Sequence, residues 1–348
     1  MKLILSIGLL LSLCAKAQKK ITLLAEPLSI ASKYHFSGIK ILDSRIDTTI
    51  LGRVVRGTFG LSESLAPLQL NGPNQSSFEA FYQGCTQHLE KGSQDILIHI
   101  TDIFVDEDPV SGAFGTVDVR VEIYAVKDNL YYPVYTLDQY EVVTAFDATK
   151  KLIRTLTTGL KKAVEYANNS FTPAVFDKPG FTQADLLNLK YKERKGKFAA
   201  YADEKVQDGI YGTFEEFLSN KPGRSVNMME EVITNNMAKA KRKREAIFGY
   251  SREGQMFIYE GNKYDTVRIY RRGDEFYMQN YGVDHTKQET QNGLLWFTSV
   301  ALLGNTDSWY EFLLNPRTGN WYQMSKLGNK KRVNTEPPVD EMQSTSSN

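Results

Sequence analysis

Four histidines, His35, His88, His99 and His285, are the whole imidazole supply of this 348-residue chain. No two stand at the close spacing of a zinc helix or a metal hairpin. His88 falls on a helical pattern beside its apolar stripe. His99 lies between Ile98 and Ile100 on a strand pattern, which turns it toward solvent or a partner. The densest carboxylate group, VDEDP at 105–109, closes a strand before a turn and reads as a solvated turn; a calcium loop needs further spaced oxygen ligands. GRVVRGTFG at 52–60 has glycines at the wrong spacing for a P-loop or a dinucleotide turn, and no Gly-x-Ser-x-Gly elbow occurs. Cys85 sits on the apolar side of its helix and reads as a small core filler rather than a nucleophile. Asp43 and Arg45 are the sharpest polar pair: on an extended chain i and i+2 share a face, so both can reach one neighbour. They either hold the first strand's exit to the adjoining loop or contact a ligand or partner. No cofactor and no metal site is expected.

The start, MKLILSIGLLLSLCAKAQ, has Lys2, a largely apolar run Leu3–Cys14 and the small-x-small triplet Ala15-Lys16-Ala17. That is the build of a secretory signal peptide over 1–17, cleaved between Ala17 and Gln18. Lipidation of Cys14 is the competing route, and Leu13 would crowd it. The apolar run is too short for a span, which takes about 20 residues. The expected address is therefore exported, in the periplasm or at the outer cell surface. Whole-chain charge is balanced at 42 basic against 41 acidic residues. Loss of Lys2 and Lys16 would bring the net to about −1, which makes no electrostatic case for nucleic acid. One cysteine outside the leader excludes an internal disulfide, so packing must stabilise the fold.

The chain exceeds the roughly 250–300 residues of one core, so two domains are expected. Residues 18–170 read as strand (36–42), helix from Ser76 with a Ser76/Glu79 capping box, three strands (96–105, 115–126, 130–143) and a long helix capped by Asp147. In GTVDVRVEIYAV, Val117, Val119, Val121 and Ile123 face one way and Asp118, Arg120 and Glu122 the other, the mark of a sheet with one buried face. Pro133 suits an edge strand. Residues 171–207 read as linker and helical arm, 208–328 as a mainly-β domain of short strands and turns, sandwich-like or a partial barrel, and 329–348 as a disordered tail. The fold class is α+β: an N-terminal two-layer antiparallel sheet with two helices, then a mainly-β antiparallel meander domain.

DGIYGTFEEFLSNKPG at 208–223 carries a second capping box, Thr213/Glu216, and a stop at Pro222. Glu215 and Glu216 are adjacent on a helix and cannot converge on one substrate atom, so the stretch reads as a packing device at a domain seam. GIYGTFEEFLSNKP, AIFGYSREGQMFIYEGNKYDTVRIYRRGDEFY and LNPRTGNW resemble segments of uncharacterised secreted proteins from Bacteroidetes-type Gram-negative bacteria, over about 205–325. IKILDSRIDTTILG resembles the Asp-x-Arg exit of envelope lipoprotein modules, including ABC-transporter auxiliary lipoproteins; the resemblance implies an envelope module over the N-terminal half.

KAKRKRE (239–245) reads as a solvated helix end, with contact to lipid phosphates or anionic glycans as the sharper alternative. GLLWFTSVALLG (293–304) reads as a buried segment, or as a contact surface for a partner or membrane. Together these readings predict a non-catalytic exported envelope protein acting in interaction or assembly. Its partner would be an envelope protein or a glycan, with peripheral membrane contact open and no transmembrane span in the mature chain. The alternative is a secreted hydrolase using carboxylates. A cleft gathering Asp43, His99, Asp102 and Glu107 would mark that enzyme.

Overall fold

The computed structural model describes residues 19–30, 33–56, 64–108, 114–145, 147–240, 243–259, 266–281, 286–287, 298–299 and 309–328. The leader with Cys14, Ala17 and Gln18, His285, most of the 293–304 run and the 329–348 tail lie outside the described residues. The chain divides into two compact units, Met1–Lys197 and Phe198–Asn348. Both helix and sheet are present, and the class is α+β.

The first unit is built on a seven-stranded sheet. Its strands are β1 (Lys19–Ile21), β2 (Phe36–Asp43), β3 (Gly52–Arg56), β4 (Ser64–Leu70), β5 (Gln94–Glu107), β6 (Phe114–Lys127) and β7 (Leu130–Thr144). The order is β1-β4-β3-β5-β6-β7, with β2 also on β5. The meander β5–β6–β7 is antiparallel, as the alternation predicts. β2 and β3 both run parallel to β5, and β1 runs parallel to β4, which makes the sheet mixed. Hydrophobic alternation sets which face a residue takes but not which direction a neighbour runs. The expected slip in β5 is a register shift between Ile100 and Asp102, and a second shift falls where β7 passes Pro133. β7 ends the strand order, the edge position that Pro133 suits.

Two helices cover one face. α1 (Asn74–Thr86) buries Phe78, Phe81, Tyr82 and Cys85. α2 (Ala148–Ser170) buries Leu152, Leu156, Leu160, Val164 and Ala167. Both stripes join Ile96, Ile98, Ile100, Val119 and Val121 in a single core. Each fully buried aliphatic side chain there contributes about 1.5–3 kcal/mol. The Asp147 side chain caps α2 by accepting from Lys150 N–H at 3.1 Å. The Ser76/Glu79 box does not form. Pro73, extended at φ −60° and ψ 139°, starts α1 two residues earlier, and Ser76 Oγ donates back to the Pro73 carbonyl.

The other face departs from expectation. Asp118 and Glu122, assigned to solvent, are 3% and 2% exposed, and His99 is 1% exposed. The stretch expected as linker and arm supplies α3 (Gln183–Lys197), whose Leu186 packs with Leu97 and Tyr124 on this outer face. Phe181, just before α3, bridges to Tyr131 of β7 through both main-chain hydrogen bonds.

The second unit starts with a short helix, α4 (Ala199–Ala202). Its sheet comprises β8 (Gly209–Tyr211), β9 (Gly249–Arg252), β10 (Gln255–Tyr259), β11 (Thr266–Arg272), β12 (Glu275–Tyr281), β15 (Trp309–Leu314) and β16 (Trp321–Gly328). A separate ribbon, β13 (Thr286–Lys287) with β14 (Thr298–Ser299), falls between β12 and β15 in sequence. The sheet follows chain order throughout and is an open antiparallel meander, rather than a sandwich or partial barrel. Its core gathers Tyr201, Phe214, Phe217, Phe248, Phe276 and Phe312. Phe214 and Phe217 come from α5 (Phe214–Leu218), the helix of the 208–223 motif, which packs within the second unit's core; the division between units falls at Lys197/Phe198 and not at the seam expected there. Thr213 Oγ1 accepts from Glu216 N–H at 3.2 Å, while the Glu216 carboxylate reaches Gly212 N–H at 2.6 Å, one residue before the expected partner. α6 (Met229–Ala238) contributes Met229 and Val232 to a satellite cluster with Ile210 and Ile247.

Candidate functional site

Two polar constructions of the first unit bear on function. The first forms where an edge strand is interrupted. β2 follows β5 as far as Asp43↔Ile100, and Ser44 N–H extends the ladder to the Ile100 carbonyl. The chain then leaves the sheet and returns at Leu51, whose carbonyl accepts from Val105 N–H, so that β3 continues along the same side of β5. Gly52 re-enters at φ +139°, where any Cβ would collide with the Val105 main chain, so only glycine fits. Arg45, 6% exposed, closes the detour. Its Nε and Nη2 donate to the two oxygens of Asp43 at 2.8 and 2.7 Å, and Nη1 donates to the Ile50 carbonyl at 2.7 Å. The guanidinium also lies 5.8 Å from the Phe78 ring centre. The Asp43–Arg45 pair thus holds the strand exit to its loop. Asp43 also borders an open cleft of about 580 Å³, shared with Lys20, Thr48, Thr49, Gln69 and Asn74. Both Asp43 oxygens are engaged by Arg45, which leaves the Lys20 ammonium with hydroxyl and amide groups to meet whatever enters.

The second construction lies on the outer face. His99 and Glu122 are direct cross-strand partners, and Arg120, Glu122 and Tyr124 share that face at i, i+2, i+4. Ser44 Oγ is 2.6 Å from His99 Nε2, and His99 Nδ1 is 3.3 Å from Glu122 Oε2. Tyr124 donates its hydroxyl to Glu122 Oε2 at 2.6 Å, and Arg120 donates Nε and Nη2 to Oε1 at 3.0 and 2.8 Å. The same Arg120 reaches Glu193 of α3 at 2.6 Å. Burial opposes ionisation of Glu122, but His99, Tyr124 and Arg120 outweigh it and hold the carboxyl at about 2. Burial and the adjacent carboxylate push the Tyr124 phenol up, which keeps it a donor. An ionised Glu122 facing Nδ1 favours the tautomer with the proton on Nδ1, leaving Nε2 to accept from Ser44.

Ser44, His99 and Glu122 therefore stand in the order of a nucleophile, a base and an orienting carboxylate. The surroundings work against that use. The imidazole is almost wholly enclosed, and Lys190 of α3 is buried with its Nζ 3.4 Å from the Ser44 carbonyl.

The four groups whose convergence would mark a carboxylate enzyme do not meet. Asp43 is held at the β2 exit and His99 lies on the outer face. Asp102 is opposite Arg120, and Glu107 faces the core side, where Thr149 Oγ1 and Val55 N–H donate to it. Asp106 of the VDEDP group is pushed up to about 7 by burial against the pull of Arg53, with Asp108 and Glu107 adding to the rise. Among the described residues, no group of three or more His, Cys, Asp or Glu is placed to hold a metal ion. Cys85 is a buried filler whose thiol burial pushes up to about 11. Among the described residues no helix is long and apolar enough to cross a membrane. Sequence reasoning missed Ser44, Glu122, Tyr124 and Glu193. The readable signal was His99 and Glu122 at polar positions of adjacent strands, which becomes a pair only once the register is known.

No family model and no curated protein matches the chain. Among solved structures, the chain is similar to a Xanthomonas campestris protein of the DUF330 family, with 11% identity over 44% of this chain and 93% of that one, at a TM-score of 0.29. It is also similar to a protein described as uncharacterized, with 11% identity over 44% and 97% of the two chains, at a TM-score of 0.25.

Proposed function

We propose that this is a non-catalytic exported envelope protein that acts through interaction or assembly, in the periplasm or at the outer cell surface. One observation carries the non-catalytic part. The groups best suited to acid–base work are buried and engaged: Glu122 accepts from Tyr124 and Arg120, and His99, bonded to Ser44, faces it at 3.3 Å. A working acid or base must reach a substrate proton directly or through one water. Export rests on the leader MKLILSIGLLLSLCAKAQ, and the envelope setting on the segments that resemble secreted Bacteroidetes-type proteins and envelope lipoprotein modules. The open cleft beside Asp43 offers hydroxyl and amide groups and one ammonium, Lys20, to a glycan or a peptide.

The alternative, a secreted hydrolase, draws on the Ser44–His99–Glu122 order. Affinity purification from envelope fractions, with mass spectrometry of co-purified proteins and of the mature amino terminus, tests the first reading. A start at Gln18 and a reproducible envelope partner are expected. Purified protein is then offered chromogenic esters, glycosides and peptides. Turnover abolished by His99→Gln in a variant that remains folded would establish the hydrolase instead.

A further inference from the structure

We propose that α3 is a releasable strap: it lifts off the outer face of the first unit while the sheet, α1 and α2 stay folded, with Leu186 as its main hold and Arg120 a weaker, salt-sensitive one. The two long helices of this unit are anchored very differently. α2 buries a continuous stripe from Ala148 to Ala167. α3, fifteen residues long, buries only Leu186 and Lys190. Leu186, Lys190 and Glu193 stand at i, i+4 and i+7, one above another on a single helix face. Each meets the sheet in a different way. Leu186 packs on Leu97 and Tyr124, Lys190 Nζ is 3.4 Å from the Ser44 carbonyl, and Glu193 accepts from Arg120 at 2.6 Å.

Of these three contacts to the sheet, the two polar ones are weak. The Lys190 hydrogen bond is long. The Arg120–Glu193 pair is open to water, with side chains 22% and 48% exposed, so salt screens it. Segments with few buried apolar contacts open locally well before the whole fold does. Arg120 makes the opening consequential because it holds Glu193 with the same guanidinium that fixes Glu122. Release uncovers Ser44, His99 and Glu122 together with the apolar pair Leu97 and Tyr124. The strap does not depend on the proposed role, since partner capture or a turnover screen can fail with the strap intact.

Hydrogen exchange on the full chain, read by mass spectrometry, tests it. In the wild type, amides of 187–197 are expected to exchange at least about 100-fold faster than those of 152–168. Glu193→Gln, or 1 M salt, should speed α3 a further two- to fivefold. Leu186→Ala should speed it at least about 30-fold. The α2 amides should stay unchanged in every case, and within residues 64–197 trypsin should cut first between Lys190 and Lys197. Equal protection of the two helices overturns the proposal. So does a parallel rise in α2, or an α3 indifferent to Glu193→Gln.

Discussion

Glu122 and Asp106 lie on neighbouring strands of the same sheet face, and their environments drive them in opposite directions. Glu122 is held at about 2, and Asp106 is pushed up to about 7. Burial raises both. The difference lies in the company each keeps. Glu122 receives Tyr124 and two nitrogens of Arg120 and faces His99. Asp106 has Arg53 nearby, but Asp108 and Glu107 crowd it with like charge. A desolvated carboxyl thus stabilises or burdens the fold according to the donors its neighbours supply.

The largest test of this contrast is Glu122→Ala. Removing the carboxylate leaves the buried Tyr124 hydroxyl and His99 without it, while Arg120 keeps Glu193, and should cost about 2–3 kcal/mol by urea denaturation. A loss below about 1 kcal/mol would break the comparison. Arg45→Lys comes next. It keeps the charge on Asp43 but loses the fork that also reaches the Ile50 carbonyl, for about 1–2 kcal/mol in the same measurement.

The pH dependence sharpens the contrast further. Glu122, with its folded pKa lowered from 4.5, stabilises the fold above that value and loses its contribution as pH falls toward about 2. Asp106, with its folded pKa raised from 3.8, acts in the opposite sense: its protonated form favours the fold at low pH, and that advantage disappears as pH rises toward about 7. Asp106→Asn should therefore reduce the fall in melting temperature between pH 4 and pH 8, by an equivalent of roughly 1 kcal/mol, and leave the acid limb near pH 2–4 in place. An unchanged slope would show that Asp106 titrates alike in the folded and unfolded chain and would break the contrast. The smallest effect is Glu193→Gln. It removes the exposed arm of Arg120 and should change global stability by less than about 1 kcal/mol. Set against Glu122→Ala, it compares two carboxylates held by one guanidinium.

Much of the fold was legible from side-chain alternation. The Val117–Ile123 face and the α2 stripe follow because one face of each element meets a core, and the Asp147 cap and the turns at Gly254, Gly273 and 315–320 follow local backbone rules, while the turn expected at 260–262 lies outside the described residues. The outer face was not legible. Asp118, Arg120 and Glu122 alternate as solvent-facing residues do, yet Arg120 and Glu122 bond to each other and Arg120 reaches Glu193 of α3. α3 itself shows one leucine, one lysine and one glutamate where a helix stripe would ordinarily be apolar. The Asp43–Arg45 staple could be read as a pair reaching one neighbour. The parallel pairing of β2 and β3 on β5, which explains why a staple is needed, has no sequence marker.

That interrupted edge also governs what the chain can tolerate. β5 sets the register of β2 and β3 independently, so the residues between them are not counted by the sheet. Extra residues beside exposed Thr48 and Thr49 would enlarge the rim of the cleft while leaving the ladder aligned. Each doubling of such a loop adds only about 0.6 kcal/mol of closure entropy. The turn at Asp47–Thr49 is thus a natural place to graft a new recognition sequence, or for evolution to vary one, without redesigning the scaffold beneath it.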